Sequence, residues 1–188
     1  MRHFKYPLLS TIMLAGLLTL PHVGLAAEQA YSNTFAVDLL VGTYDITGVR
    51  LAYRPYTYEL QDVPFFDSLE VYWEASINLW EYGEQNERDT NFALALSPVV
   101  KKTFYHIDNK YPLKWEFGIG VSLVNDTQFA GKDIGSHYQF EDRIGLSADF
   151  GQGLRQTVAI RYMHYSNGGL NSKNPGLDFL NVSYAYKF

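Results

Sequence analysis

From Phe35 onward the chain alternates apolar and polar side chains with a period of two, the period of a β-strand. Phe35, Val37, Leu39 and Val41 form one face against Ala36, Asp38, Leu40 and Gly42. Val49, Leu51 and Tyr53 oppose Arg50, Ala52 and Arg54, and Val71 to Leu79 opposes Glu70 to Asn78 in the same way. Phe92, Leu94 and Leu96 begin a fourth run, and Trp115 to Leu123 opposes Lys114 to Ser122 in a fifth. Phe140 to Phe150 opposes Gln139 to Asp149, Val158 to Tyr162 opposes Thr157 to Arg161, and Val182 to Phe188 opposes Asn181 to Lys187. These are eight runs, an even number, each expected near the 9–11 residues that carry a tilted strand across a bilayer.

The faces opposite the apolar rows carry both signs of charge, with Asp38, Glu70, Glu74, Glu116, Glu141 and Asp149 against Arg50, Arg54, Lys114, Arg143 and Arg161. A soluble sandwich turns its apolar face inward and its charges outward. A small membrane barrel does the reverse and fills its interior with paired polar side chains. The pattern therefore predicts an all-β fold, an eight-stranded antiparallel transmembrane β-barrel. Glu141 and Arg143 belong to its interior ionic packing.

Turn chemistry separates the runs. Tyr82–Asp89, Asn125–Gly135 and Asn167–Gly176 read as long loops, while Asp45–Gly48 and Gly151–Gly153 suit short periplasmic turns. Pro98 at a strand position predicts a bulge or bend.

Composition agrees with that picture. Aromatic residues make up 16% of the chain, including 15 Tyr, yet mean hydropathy is only −0.16. Aromatic girdles over a polar interior have this profile. The first residues read as a secretory signal peptide: Arg2 and Lys5, an apolar run from Leu8 to Leu20, then small residues to Ala26 and Ala27. Residues 1–27 are thus expected to be removed, leaving the barrel in 28–188. Loss of Arg2 and Lys5 moves the formal charge from −5 to −7. An acidic chain without a basic run offers no footprint for nucleic acid. With no Cys, disulfides and thiolate metal sites are excluded, and His3, His22, His106 and His137 form no ligand cluster in the sequence.

The chemistry lies near the end of the chain. His164 and Ser166 continue the outward row Val158, Ile160, Tyr162, and counting back by twos from Phe188 places Asp178 on the outward row of the last strand. Antiparallel strands joined by the 167–176 loop bring these rows side by side. A Ser hydroxyl becomes a nucleophile when an imidazole takes its proton and an acid holds that imidazole in the right tautomer. Amides at Asn167, Gly168 and Gly169 would be placed to hold a developing oxyanion. A lone His-x-Ser is common by chance, but polar groups on a lipid-facing row are costly unless they serve a function. All three groups are thus expected to face lipid.

The run His164-Tyr165-Ser166-Asn167-Gly168-Gly169-Leu170, with Asn174-x-Gly176-x-Asp178 and Phe140-Glu141-Asp142-Arg143-Ile144-Gly145, resembles the lipid A 3-O-deacylase (PagL) family. The terminal Phe188, preceded by Tyr186 and Tyr184, resembles the ending of bacterial outer-membrane barrels. The family resemblance implies removal of the 3-linked hydroxyacyl chain of lipid A in the outer leaflet of the bacterial outer membrane, with no cofactor. It implies His164 as base, Ser166 as nucleophile, and Asn167, Gly169 and Asn174 as the residues shaping the oxyanion site. Asp178 stands where the family typically has Glu, one methylene longer. Asp142, also of outward parity, is the alternative acid. The partners implied are lipopolysaccharide and the membrane, and the outward aromatics are compatible with a homodimer. Two other readings remain open at this level: an outer-membrane phospholipase, and a structural or adhesive small barrel without enzymatic activity.

Overall fold

In the computed structural model, which describes residues 27–43, 45–83 and 88–188, the alternating runs close into one antiparallel ring. Its strands are β1 (Ala27–Gly42), β2 (Ile46–Val63), β3 (Asp67–Tyr82), β4 (Asp89–Ile107), β5 (Tyr111–Val124), β8 (Tyr138–Phe150), β9 (Gln156–Ser166) and β10 (Leu177–Lys187). β10 pairs back onto β1, so Phe35 meets Tyr186 and Val41 meets Leu180, and the ring itself is closed. A two-stranded hairpin, β6 (Gln128–Phe129) with β7 (Lys132–Asp133), lies between β5 and β8. The expected signal peptide, as far as Ala26, lies outside the described residues, as do positions 84–87 of the expected Tyr82–Asp89 loop.

Parity falls as the alternation requires of a membrane barrel. Leu39 is 62% exposed while its neighbour Asp38 is fully buried, and the same reversal runs round the ring. Outward Val, Leu, Ile and aromatic side chains form the lipid-facing belt, with Phe35, Tyr53, Tyr186 and Phe188 in contact at one end. Inside, Glu74 accepts from Arg50 Nη2 at 2.6 Å, Arg54 Nε at 2.6 Å and Arg143 Nη1 at 2.5 Å. Arg50 also reaches Asp38 at 3.0 Å, Arg143 is paired with Glu141, and Arg161 is paired with Glu116. Nearer the Phe188 end, Lys114 and Lys187 share Asp149, each at 2.8 Å.

The interior is not polar throughout. At the opposite end of the lumen Trp80 stacks on Phe179 at 5.1 Å and meets Tyr165 edge-on at 4.9 Å. Leu40, Ile46, Phe129, Ile134, Met163 and Leu177 are buried with them. The hairpin and its flanks supply Phe129 and Ile134, so the 125–137 segment folds over the barrel mouth and plugs it with apolar side chains.

Three expectations need correction. The turn at Asp45 lies at the plugged end, because Gly42 pairs with Phe179 at the start of β10, and Gly48 is already within β2. The short turns of the other end are at 64–66, 108–110 and 151–155. Short turns mark the periplasmic side and longer loops the outer side, so the plugged end faces outward. Pro98 makes no bulge: it faces Trp73, and β4 keeps one register against β5 on both sides of it. Gly118 and Gly120 accommodate this stretch, since a Cβ on Gly118 would lie 2.9 Å from the Pro98 carbonyl and one on Gly120 only 1.9 Å from Ser97 Oγ. The register shift in β4 falls instead between Thr103 and Tyr105. Finally, β2 and β4 run far beyond their alternating stretches, because strand pairing continues past the bilayer where no lipid enforces parity.

Replacing Glu74 by Gln leaves three buried guanidinium groups sharing one fewer carboxylate charge. We expect a loss of roughly 3–5 kcal/mol of barrel stability, read as a lower urea midpoint in micelles. Glu81→Gln, at the exposed rim pair with Arg88, should leave the midpoint within roughly 0.5 kcal/mol of the parent.

Candidate active site

The inward packing of Tyr165 fixes the direction of the residues on either side of it. Its ring is buried among Trp80 and Phe179, and its hydroxyl donates to Glu141 at 2.7 Å and Asn78 at 3.2 Å. With Tyr165 held inside, strand alternation turns His164 to the outer wall and gives Ser166 the same parity. In the next strand, Leu177 and Phe179 are buried and Asp178 is turned outward. Register then puts Asp178 directly opposite His164.

The two side chains are joined. His164 Nδ1 lies 2.6 Å from Asp178 Oδ1, and both groups are about one-third exposed. A proton on Nδ1, donated to the carboxylate, leaves Nε2 as an acceptor, the tautomer needed to take a proton from a hydroxyl. Tyr162, two residues before His164 on the same face, donates its phenol to that same Asp178 oxygen at 2.6 Å. Asp142 faces His164 from the other neighbouring strand, β8, but His164 takes its hydrogen bond from β10.

Ser166 is the last residue of β9 and sits opposite Phe140. Its parity is outward, yet it is only 8% exposed at the loop that follows. Its hydroxyl is not hydrogen-bonded to His164 in this arrangement. The two share one parity on one strand, two residues apart.

The 167–176 loop is organised by one buried side chain. Asn167 Nδ2 donates to Lys173 O at 2.7 Å and to Ile134 O at 3.1 Å, while its Oδ1 accepts from the amides of Gly169 at 3.0 Å and Asn171 at 3.4 Å. Asn174 Oδ1 accepts the Asn167 amide at 2.9 Å. Asn167 and Asn174 therefore shape the loop, and the Gly169 amide is engaged within it. Lys173 pairs with Asp133 of the hairpin, and Asn171 donates to Gly135 O at 2.7 Å. The hydrogen bond from Lys173 holds the Asp133 carboxyl below its ordinary range.

Two residues with no role read from the sequence matter here. Tyr162 was legible only as one more outward aromatic. Gly176, at φ +69°, lies under the imidazole, where a Cβ would stand 2.7 Å from His164 Cε1 and 3.4 Å from Nε2. The spacing of Gly176 from Asp178 could have suggested it, but only once β9 and β10 are aligned. Among the described residues no group of three or more His, Cys, Asp or Glu side chains is arranged to hold a metal ion.

Chemically, the arrangement is a His–acid pair on the lipid-facing wall at the outer rim, with a buried Ser two residues along the same strand, beside a loop rich in amide donors. The family profile for lipid A 3-O-deacylase (PagL) matches residues 47–187. Lipid A deacylase PagL of Pseudomonas aeruginosa is 35% identical over 116 residues, 62% of this chain and 64% of that protein. The Bordetella bronchiseptica lipid A deacylase PagL is 44% identical over 73 residues, 39% and 40% of the two chains. In both, the aligned stretch spans less than two thirds of the relative's length. A crystal structure of the outer membrane enzyme PagL superimposes with a TM-score of 0.61 and 26% identity, covering 81% of this chain and 99% of that one. With three quarters of its length inside the family profile, the chain belongs to the lipid A 3-O-deacylase (PagL) family.

Proposed function

We propose that this barrel is an outer-membrane serine esterase that removes the 3-linked hydroxyacyl chain of lipid A. The observation that carries the reading is the His164–Asp178 pair on the lipid-facing wall, on the same row as Ser166. An ester hydrolase for a soluble substrate would gain nothing from a site turned toward acyl chains. A substrate embedded in the same leaflet can reach it without leaving the membrane.

In this reading Ser166 Oγ attacks the ester carbonyl carbon while His164 Nε2 takes the hydroxyl proton. Asp178 holds Nδ1–H and offsets the charge of the imidazolium. The carbonyl oxygen becomes an oxyanion. Of the amides at Asn167, Gly168 and Gly169, the first and third already donate within the loop, so we assign the oxyanion to the Gly168 amide. The bond to the sugar oxygen then breaks, and His164 returns the proton to that oxygen. Water, deprotonated by His164, attacks the acyl carbon; the bond to Ser166 Oγ breaks, His164 returns the proton to Oγ, and the fatty acid leaves. The steps require only these side chains, the substrate and water.

One chain supplies all three groups, so a single barrel suffices, and a homodimer through the lipid-facing aromatics is compatible with the chemistry. The proposed location is the outer membrane, reached through the expected signal peptide in residues 1–27. The acidic chain meets lipopolysaccharide and membrane, with no nucleic acid partner.

Expression in a host with unmodified lipid A should lower the lipid A mass by one hydroxyacyl chain. Ser166→Ala and His164→Asn, both still folded by heat-dependent gel mobility, should restore the parent mass. Persistence of the loss in both variants removes the mechanism, and a folded wild-type barrel that never deacylates favours a structural barrel. Gly176→Ala should keep the barrel folded but push the imidazole off its position, lowering the deacylation rate by on the order of 10²-fold.

A further inference from the structure

We infer that Tyr162 is a positioning residue for the catalytic acid, a role that rests on the esterase reading above. Two donors converge on one oxygen: His164 Nδ1 and the Tyr162 hydroxyl each lie 2.6 Å from Asp178 Oδ1. The register explains how. His164 faces Asp178 directly across the β9–β10 pair, and Tyr162, two residues earlier on β9, faces Leu180, so its ring reaches Asp178 diagonally.

That placement has a purpose at a bilayer. Tyr162 lies one step deeper than His164 on the lipid-facing row, and its ring is half exposed to the acyl-chain side. An amphipathic Tyr there keeps its ring body in the apolar belt and sends its hydroxyl toward the rim. The hydroxyl thereby caps the membrane side of the Asp178 carboxylate, where water is scarce and an uncapped charge would be poorly solvated. A charge-assisted hydrogen bond from the phenol also fixes the rotamer of a short side chain. Asp has one methylene fewer than Glu, so its carboxylate sits close to the β10 backbone, within reach of a residue on the neighbouring strand. Orientation of Nδ1 thus depends on two contacts to one oxygen. Tyr162 itself acts through Asp178, to which its hydroxyl donates.

The test is a double-mutant cycle between Tyr162→Phe and Asp178→Glu, with purified barrels in mixed micelles containing lipopolysaccharide. Tyr162→Phe should lower kcat about 10-fold, as for loss of one hydrogen bond to a charged group, with KM within about 2-fold. In the Asp178→Glu background the longer acid needs the phenol less, and the same change should cost less than about 3-fold. Heat-dependent mobility checks folding, and Tyr162→Met, apolar but without a donor, serves as the second variant. Unchanged kcat in a folded Tyr162→Phe barrel overturns the inference. So does an equal loss in both backgrounds, which is what a purely structural tyrosine would give. A folded wild-type barrel that fails to deacylate the lipopolysaccharide overturns the esterase reading itself, and this role falls with it.

Discussion

Three guanidinium groups meet on a single carboxylate in the lumen, where Glu74 accepts from Arg50, Arg54 and Arg143. The arrangement follows from the solvent outside. Lipid claims the outward positions of the belt, so the charge that the strands carry below the rim must be accommodated within a ring too narrow for bulk water. Isolated, each ion would be very costly there. Interleaved, the carboxylates and guanidinium groups pair with one another and tie β1, β2, β3 and β8 together across the lumen.

The site is built outward from that interior. Glu141 belongs to the ionic cluster and also accepts from the Tyr165 hydroxyl. Tyr165 stands between His164 and Ser166 in sequence, so the interior bond that holds it in place also sets the direction of both neighbours. Phe179 does the same for Asp178 through its stack on Trp80. The direction of this row is thus fixed by side chains it does not touch. The loop above it is fixed separately, through the Asn167 side chain and the hairpin it reaches.

Parity made the ring, the inward charges and the outward direction of His164 and Asp178 legible in the sequence, because a period of two survives any error in strand length. The motif around Ser166 pointed to the right family. What parity does not encode is register. The choice of Asp178 over Asp142 as the partner of His164, the diagonal reach of Tyr162 and the position of Gly176 beneath the imidazole all depend on it. The side of the membrane occupied by the Asp45 turn was misread for a related reason, since a short turn says nothing about which end of the barrel it closes. The apolar plug was missed because Trp80, Tyr165 and Phe179 lie at the ends of otherwise polar inward rows, and Phe129 and Ile134 come from a segment that reads as loop.

The central claim is that a serine hydroxyl on the lipid-facing wall is activated by its histidine neighbour. It is tested most directly by reacting the folded barrel in lipid bilayers with a long-chain alkyl fluorophosphonate, followed by peptide mass mapping. The account predicts a single phosphonylated residue, Ser166, and loss of that label in a folded His164→Asn barrel. Labelling of a different residue, or labelling of Ser166 that persists without His164, would contradict it.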